Sequence, residues 1–374
     1  VPFGPAMTGD LVYLDHNATA PLRPGAAEAM RAALAVVGNP SSVHGHGRRA
    51  RRWIEDAREA VAALLAVPPA WVVFTGGGSE ANGLALSGLG DGPRLCSAVE
   101  HDSVLRWVPE DGRLPVDALG VIDLEALGRA LAKAPGPGLL SLMWANNETG
   151  VVQPVAEAAA RARAAGWRVH CDAVQGPGRL SPLDMAALGV DLLSLSAHKL
   201  GGPAGVGALI VADGVTLAPL VRGGGQERGR RAGTENLVGI AGFGAAAEAV
   251  RAGGAAESAR LAALRDRLEA GLRASCPVAA IHGAGAARLP NTTCVGLPDT
   301  APTADIQVMR LDLAGVSVGA GSACSSGKVA PSHVLRAMGL TEAAARRALR
   351  FSLGWSSTPA DVERVLAAWA ALAP

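Results

Sequence analysis

Aromatic side chains are scarce in this 374-residue chain: phenylalanine, tyrosine and tryptophan together supply 3% of it. Glycine and alanine are abundant instead, so its helices are expected to pack closely on small side chains. Cysteine is sparse too, with five residues standing far apart and no CxxC pair. That spacing excludes a zinc site or a disulfide framework and fits a reduced, cytoplasmic protein. No run of eighteen apolar residues occurs, which argues against a transmembrane helix. The opening VPFGPAMTGD lacks the basic start and apolar stretch of a secretory signal. An excess of one charge is also missing: the formal net charge of +1 gives no general reason to expect nucleic acid or an anionic membrane as partner. What the chain does have is apolar mass. Hydrophobic content of 49% with 18% charged residues is ample for a large buried core and argues against disorder, and the length suggests two domains.

Short apolar runs alternate with alanine-rich helical patterns over the first 250 residues or so. Strands are predicted at 71–75, 94–99, 139–144, 168–172, 192–196 and 207–211, with helices at 55–66, 79–89, 123–133 and 155–165. This alternation predicts an α/β fold with a mostly parallel sheet covered by helices on both faces. A glycine-rich stretch, VRGGGQERGRRAGTEN at 221–236, precedes a long helical tract over about 237–274. Beyond it, TTCVGL, VSVGAGS and RFSLGW read as strands of a second, smaller α/β unit that ends in a helix over 359–372.

Ligands of open α/β sheets gather outside the carboxyl ends of the strands, so the residues that follow each strand matter most. After WVVFT comes GGGSEANGLAL, where glycines permit close backbone approach and the next helix offers N–H groups to an anion. Ser79 adds a hydroxyl donor. No GK[ST] of a P-loop and no GxGxxG follows this strand, so the segment alone is also compatible with a plain turn. After RVHC comes Asp172, a carboxylate that is either a turn residue or the partner of a cationic ring nitrogen, with Gln175 three residues on. After LLSLS comes AHKLGGPAG, placing Ser196, His198 and Lys199 between apolar strands. A lysine kept from water there becomes a competent amine nucleophile. An amine, a strand-end carboxylate and an anion cradle together match the needs of pyridoxal 5'-phosphate: its aldehyde, ring nitrogen and phosphate. His101, after RLCSAVE, is placed to lie against the ring face or to be an ordinary polar histidine. The remaining cysteine question is Cys324, in the glycine- and serine-rich SVGAGSACSSGKVAPSH, whereas Cys96, Cys171, Cys276 and Cys294 read as structural.

These blocks, in this order, resemble the NifS/IscS-type cysteine desulfurases of the class V aminotransferase family. The resemblance runs from VYLDHNATAPL through GNPSSVHGHGRRAR, FTGGGSEAN, VEHDSVL, ANNETGVVQP, HCDAVQGPG, SLSAHKLGGP and RGGGQERGRRAGTEN to GAGSACSSGKVAPSHVLRAMG and ALRFSLGW. It implies the pyridoxal phosphate-dependent transferase fold (aspartate aminotransferase-like, fold type I). A large cofactor domain is then expected over 13–252, and a small domain over 1–12 and 253–374 carrying a mobile catalytic loop at about 319–331. It further implies roles. Lys199 matches the lysine that carries the cofactor aldehyde, Asp172 the partner of the ring nitrogen, and His101 the histidine stacked on the ring. Asn147 and Gln175 match groups near the phenolic oxygen, and Gly78, Ser79, Ser196 and His198 match the phosphate cradle. Thr234 matches a threonine that reaches the phosphate of the neighbouring subunit, which implies a homodimer. Arg350, with Asn147, matches the clamp on the substrate carboxylate, and Cys324 the cysteine that accepts sulfur.

The implied reaction removes sulfur from L-cysteine, giving L-alanine and a Cys324 persulfide. That sulfur is destined for an iron–sulfur scaffold or another sulfur acceptor, with no nucleic acid, membrane or metal ligand involved. Ser79 stands where threonine is usual and keeps the hydroxyl; Ala204 and His16 depart from a common lysine and a frequent aromatic. A selenocysteine lyase, another class V enzyme of the same fold, or a non-catalytic scaffold remain as rival readings at this point.

Overall fold

Apolar runs with no polar alternation are what strands covered on both faces require, and five such runs form the middle and one edge of the main sheet. The computed structural model describes residues 11–134, 136–181, 183–320 and 331–372. Its seven-stranded sheet has the order Val72–Thr75, Gly207–Val211, Leu192–Ser196, Arg168–Asp172, Leu139–Ser141, Arg94–Ser97, Arg113–Leu114. Every neighbouring pair is parallel except those of Gly207–Val211, which runs antiparallel to both its neighbours. The expected strand at 139–144 is shorter as a ladder. Its pairing nevertheless continues, since the Leu142 and Trp144 N–H groups donate to His170 and Asp172 carbonyls at 2.9 Å each. Six carboxyl ends therefore open on the same side: Thr75, Ser97, Leu114, Ser141, Asp172 and Ser196.

Helices cover this sheet on alanine and glycine, as the composition predicts. Gly45–Leu64, which begins ten residues before the expected start because His44 caps it, packs against the long helix Leu237–Ser275. A Cβ on Gly244 would stand 2.7 Å from the Ala57 Cα, so the approach depends on a missing side chain. The four arginines of RRARRW sit exposed on the outer face of Gly45–Leu64. The long helix is interrupted at Gly254, which takes φ 43 and ψ −137, a conformation that glycine adopts without a Cβ clash. Residues before the break, among them Phe243 and Val250, join the core under the main sheet. Residues after it, among them Leu261, Leu268 and Leu272, join a second core with Leu14, Phe351, Val362 and Trp369.

That second core lies on a four-stranded antiparallel sheet of order Gly319–Ala320, Ala348–Ser352, Thr292–Gly296, Ala280–Ile281. The expected single strand VSVGAGS is instead divided among the described residues. Val316–Ser317 pairs in parallel with Val12–Tyr13, while Gly319–Ala320 crosses to pair with Ala348–Ser352. A one-residue step at Val318 lets one apolar run serve two sheets. The glycine-rich stretch 221–236 is tied down by a buried ion pair. Glu227 accepts from both terminal nitrogens of Arg58 at 2.8 Å and from the Phe74 N–H at 2.9 Å. Among the described residues no helix is long and apolar enough to cross a membrane.

Candidate active site

The carboxyl ends of the main sheet and the inner strand Ala348–Ser352 of the second sheet face a cavity of about 380 Å³. Lys199, His101, Gly78, Ser79, Asn147, Asp172, Gln175, Ser196, His198 and Arg350 all line it. Of the remaining residues expected at the site, Thr234 is exposed and does not line the cavity of this chain, and Cys324 lies outside the described residues.

Lys199 ends a short 3₁₀ turn directly after the strand Leu192–Ser196. Its Nζ donates to the Asn17 and Ala18 carbonyls at 2.6 and 2.7 Å, so two main-chain oxygens help to aim the amine. Asp172 ends the neighbouring strand and is 7% exposed. One of its oxygens accepts from the Val174 N–H at 3.0 Å and the other from Asn82 Nδ2 at 2.7 Å. These bonds fix the carboxylate plane and leave it further lone pairs.

The anion cradle forms where Val72–Thr75 turns into the helix Gly78–Gly88 through Gly77, whose φ of 151 favours glycine. The first helical turn has N–H groups with no acceptor inside the helix. A Cβ on Gly78 would lie 2.9 Å from Val174 Cγ2 and 3.3 Å from Ser196 Cβ, so glycine brings the helix end against the Ser196 strand. Ser79, Ser196 and His198 thus meet at one corner. Burial, helped by the neighbouring Lys199 and Arg179 cations, pushes the His198 imidazole down to about 4. It is neutral at neutral pH, and its Nδ1 lies 3.1 Å from Thr19 Oγ1.

His101 caps the short helix Asp102–Leu105, its Nδ1 accepting from the Ser103 N–H at 3.1 Å. Gln175 donates from Nε2 to the Asn17 carbonyl at 3.1 Å and accepts from Arg179. Across the cavity Arg350 projects from the strand Ala348–Ser352 with its side chain only 3% exposed. It pairs with Asp15 at 2.6 Å and donates to the Asn147 carbonyl at 3.2 Å, while its Nε is buried with no partner among the described residues. A Cβ on Gly319 would stand 2.7 Å from Arg350 Nη2, so glycine there leaves room for the guanidinium. A held guanidinium with an unspent donor has the chemistry to take a carboxylate.

Sequence reasoning missed several residues that complete the cavity: Asn17, Asn82, Ser103, Glu148 and His333. It also missed Glu100 beneath the cavity, a fully buried carboxyl that accepts from Ser97 Oγ and the Met143 N–H at 2.7 and 2.8 Å. Burial pushes Glu100 up to about 8, against the lowering effect of those bonds. It adds no full negative charge beside Asp172 at neutral pH. The four cysteines within the described residues, Cys96, Cys171, Cys276 and Cys294, are all buried as expected. Burial pushes the Cys294 thiol up to about 12 and Cys171 well above the ordinary thiol range, so neither supplies a thiolate.

The donor set suits pyridoxal phosphate. Asp172 accepts, the corner at Ser79, Ser196 and neutral His198 donates, and Lys199 supplies a primary amine between them. No group of His, Cys, Asp and Glu among the described residues has metal-binding geometry.

Comparison with known proteins agrees with this chemistry. The model of the family Aminotransferase class-V matches residues 12–365. The chain is 47% identical over 370 residues to a cysteine desulfurase of Cereibacter sphaeroides, covering 95% of this chain and 94% of that one. Its fold is similar to the X-ray structure of a NifS-like protein from Rickettsia africae ESF-5, with TM-score 0.90 and 34% identity. That match covers 97% of this chain and 99% of the other. It is also similar to SspA in complex with cysteine, with TM-score 0.78 and 32% identity, covering 92% of this chain and 99% of that one.

Proposed function

This chain belongs to the class-V aminotransferase family, and from that membership and the cavity chemistry we propose that it works as a cysteine desulfurase dependent on pyridoxal phosphate. The observation that carries the reading is the convergence of the Lys199 amine, the Asp172 carboxylate and the Arg350 guanidinium on one cavity.

Each residue has a task. With the cofactor bound, the Gly78 helix end, Ser79, Ser196 and His198 would hold the phosphate, Gln175 and Asn147 would serve the phenolic oxygen, and Asp172 would accept the ring N–H. His101 would serve the ring face. When bound, the cofactor supplies an aldehyde for the substrate amine and an electron sink for the electrons released at its Cα. Arg350 holds the carboxylate of L-cysteine, with Asn147 beside it. Lys199 takes the Cα proton and returns one, and His101 exchanges protons with the reacting atoms. The Cys324 thiolate attacks the substrate sulfur, so that an S–S bond forms as the Cβ–S bond breaks. L-cysteine and the Cys324 thiol become L-alanine and a Cys324 persulfide, with atoms and electrons balanced.

The persulfide sulfur then passes to a protein acceptor for iron–sulfur cluster or other sulfur-containing cofactor assembly. The working unit is a homodimer in which Thr234 completes the phosphate site of the partner. A cysteine-dependent enzyme is favoured over a selenocysteine lyase because the curated relative at 47% identity is a cysteine desulfurase.

Incubating the cofactor-loaded protein with L-cysteine tests the reading. Alanine is expected to appear, and the peptide spanning Cys324 is expected to gain the mass of one sulfur atom that a thiol reductant removes. No alanine, or sulfur carried on another cysteine, would sink it. Arg350→Ala is expected to raise KM for L-cysteine about 10–100-fold, the worth of a charge-assisted bond to a carboxylate. Its kcat should change far less, and an unmoved KM removes Arg350 from substrate binding.

A further inference from the structure

Behind the cavity, four side chains form one hydrogen-bonded line from the Asp172 carboxylate to the His101 ring. Asn82 Nδ2 lies 2.7 Å from Asp172 Oδ2 and 2.8 Å from Ser103 Oγ. Ser103 Oγ lies 2.8 Å from His101 Nδ1, and the Ser103 N–H donates to the same nitrogen at 3.1 Å.

The donor roles in this line have one consistent solution. A carboxylate oxygen accepts, so Asn82 gives it one amide hydrogen. The other amide hydrogen goes to Ser103 Oγ, whose own hydrogen is then available to donate to Nδ1. A backbone N–H only donates, so Nδ1 faces two donors and must present its lone pair. The reverse orientation of the Asn82 amide would set its carbonyl against the Asp172 carboxylate. Asn82 keeps its orientation although its own Oδ1 is left buried with no partner among the described residues. That burial is unfavourable, which shows how strongly both hydrogens are held.

We propose that Ser103 is a positioning residue that holds neutral His101 in the Nε2–H tautomer, and that Asn82 ties this choice to the Asp172 carboxylate. His101 then meets the reacting atoms carrying a hydrogen on Nε2, and in its neutral form it donates a hydrogen bond there without releasing that proton. This deepens the role of His101 in the desulfurase reading and rests on that reading for its catalytic consequence. The tautomer itself stands on the hydrogen-bond geometry alone. Serine at this position also explains why a two-residue offset from the histidine suffices, since both donors to Nδ1 come from one residue.

Long-range ¹H–¹⁵N correlation spectra of the cofactor-loaded full chain, labelled in its histidine rings, test the proposal, with His101→Gln identifying the signal. The wild type is expected to show the Nε2–H pattern for His101. Ser103→Ala, which removes one donor and leaves the backbone N–H, is expected to shift the pattern toward Nδ1–H. Its kcat is expected to fall about 10-fold, a part of what one preorganised hydrogen-bond donor contributes, with KM within about two-fold. Ser103→Thr keeps the hydroxyl and is expected to restore both readings. An Nδ1–H pattern in the wild type overturns the proposal, even if no variant folds. So does an unchanged His101 pattern in a folded Ser103→Ala. The spectrum reads the tautomer whether or not alanine is made, so failure of the desulfurase reading is seen separately.

Discussion

Replacing Lys199 by alanine is expected to lower alanine formation from L-cysteine by at least about 10³-fold, because one side chain serves twice in the proposed reaction. It anchors the cofactor aldehyde, and it moves the Cα proton, a task worth about 10²–10⁴-fold by itself. The structure gives the variant little to fall back on. The nearby His198 is already neutral, half-buried with its pKa pushed down to about 4, and belongs to the proposed phosphate corner. Lys199→Arg separates chemistry from anchoring of the fold. A guanidinium can still donate to the Asn17 and Ala18 carbonyls that Nζ now holds at 2.6 and 2.7 Å, but it does not give up its proton. Arginine is therefore expected to preserve the thermal midpoint and to be as inactive as alanine. More than about one per cent of the wild-type rate in either variant would refute the role of Lys199, the acid–base contribution being of the size given above.

The second large effect is expected from Asp172→Asn, with kcat lower by about 10²–10³-fold, the range found when one preorganised electrostatic partner is removed. Asparagine fits the same space and retains one oxygen for the Val174 N–H or for Asn82. What it loses is the negative charge held against the ring nitrogen. The substitution also disturbs the line to His101, since Asn82 Nδ2 now donates to Asp172 at 2.7 Å. Thermal unfolding of the cofactor-free protein is expected to shift by only a few degrees, because Asp172 forms no ion pair with another of the described residues. A kcat within about three-fold of wild type would show that this carboxylate does not support the reaction.

The two residues behind these predictions were legible because each ends an apolar run. Asp172 and Lys199 follow RVHC and LLSLS, where the run itself announces a strand and the strand end announces the ligand side of the sheet. The helix after GGGSEA was legible in the same local way. The residues that escaped are held by contacts the chain order conceals. Asn17 reaches Lys199 across 182 residues, and His333 meets the Glu100 carbonyl across 233. Asn82 did leave a signal: it stands one helical turn after Gly78, so it shares the face that meets Asp172, and it is a lone amide in an apolar helix. Ser103 left one too, at the offset from His101 that a side-chain cap uses. The division of VSVGAGS between two sheets had no local signal. Both halves are apolar and extended, and only their partners, Val12–Tyr13 and Ala348–Ser352, tell them apart.

The grip on the Lys199 amine by two main-chain oxygens has a consequence for how such a protein tolerates drift. A side-chain partner can be erased by one codon change; a peptide carbonyl cannot, since every amino acid carries it. Position 18 is thus free to vary in what it displays without releasing the amine, provided the path of the strap is kept. The vulnerability moves to whatever shapes that path: the bonds from Asn17 to Thr292 and Asn291 at 2.9 and 3.1 Å. A lesion far from the chemistry, in the second sheet, is where a misaimed amine would originate.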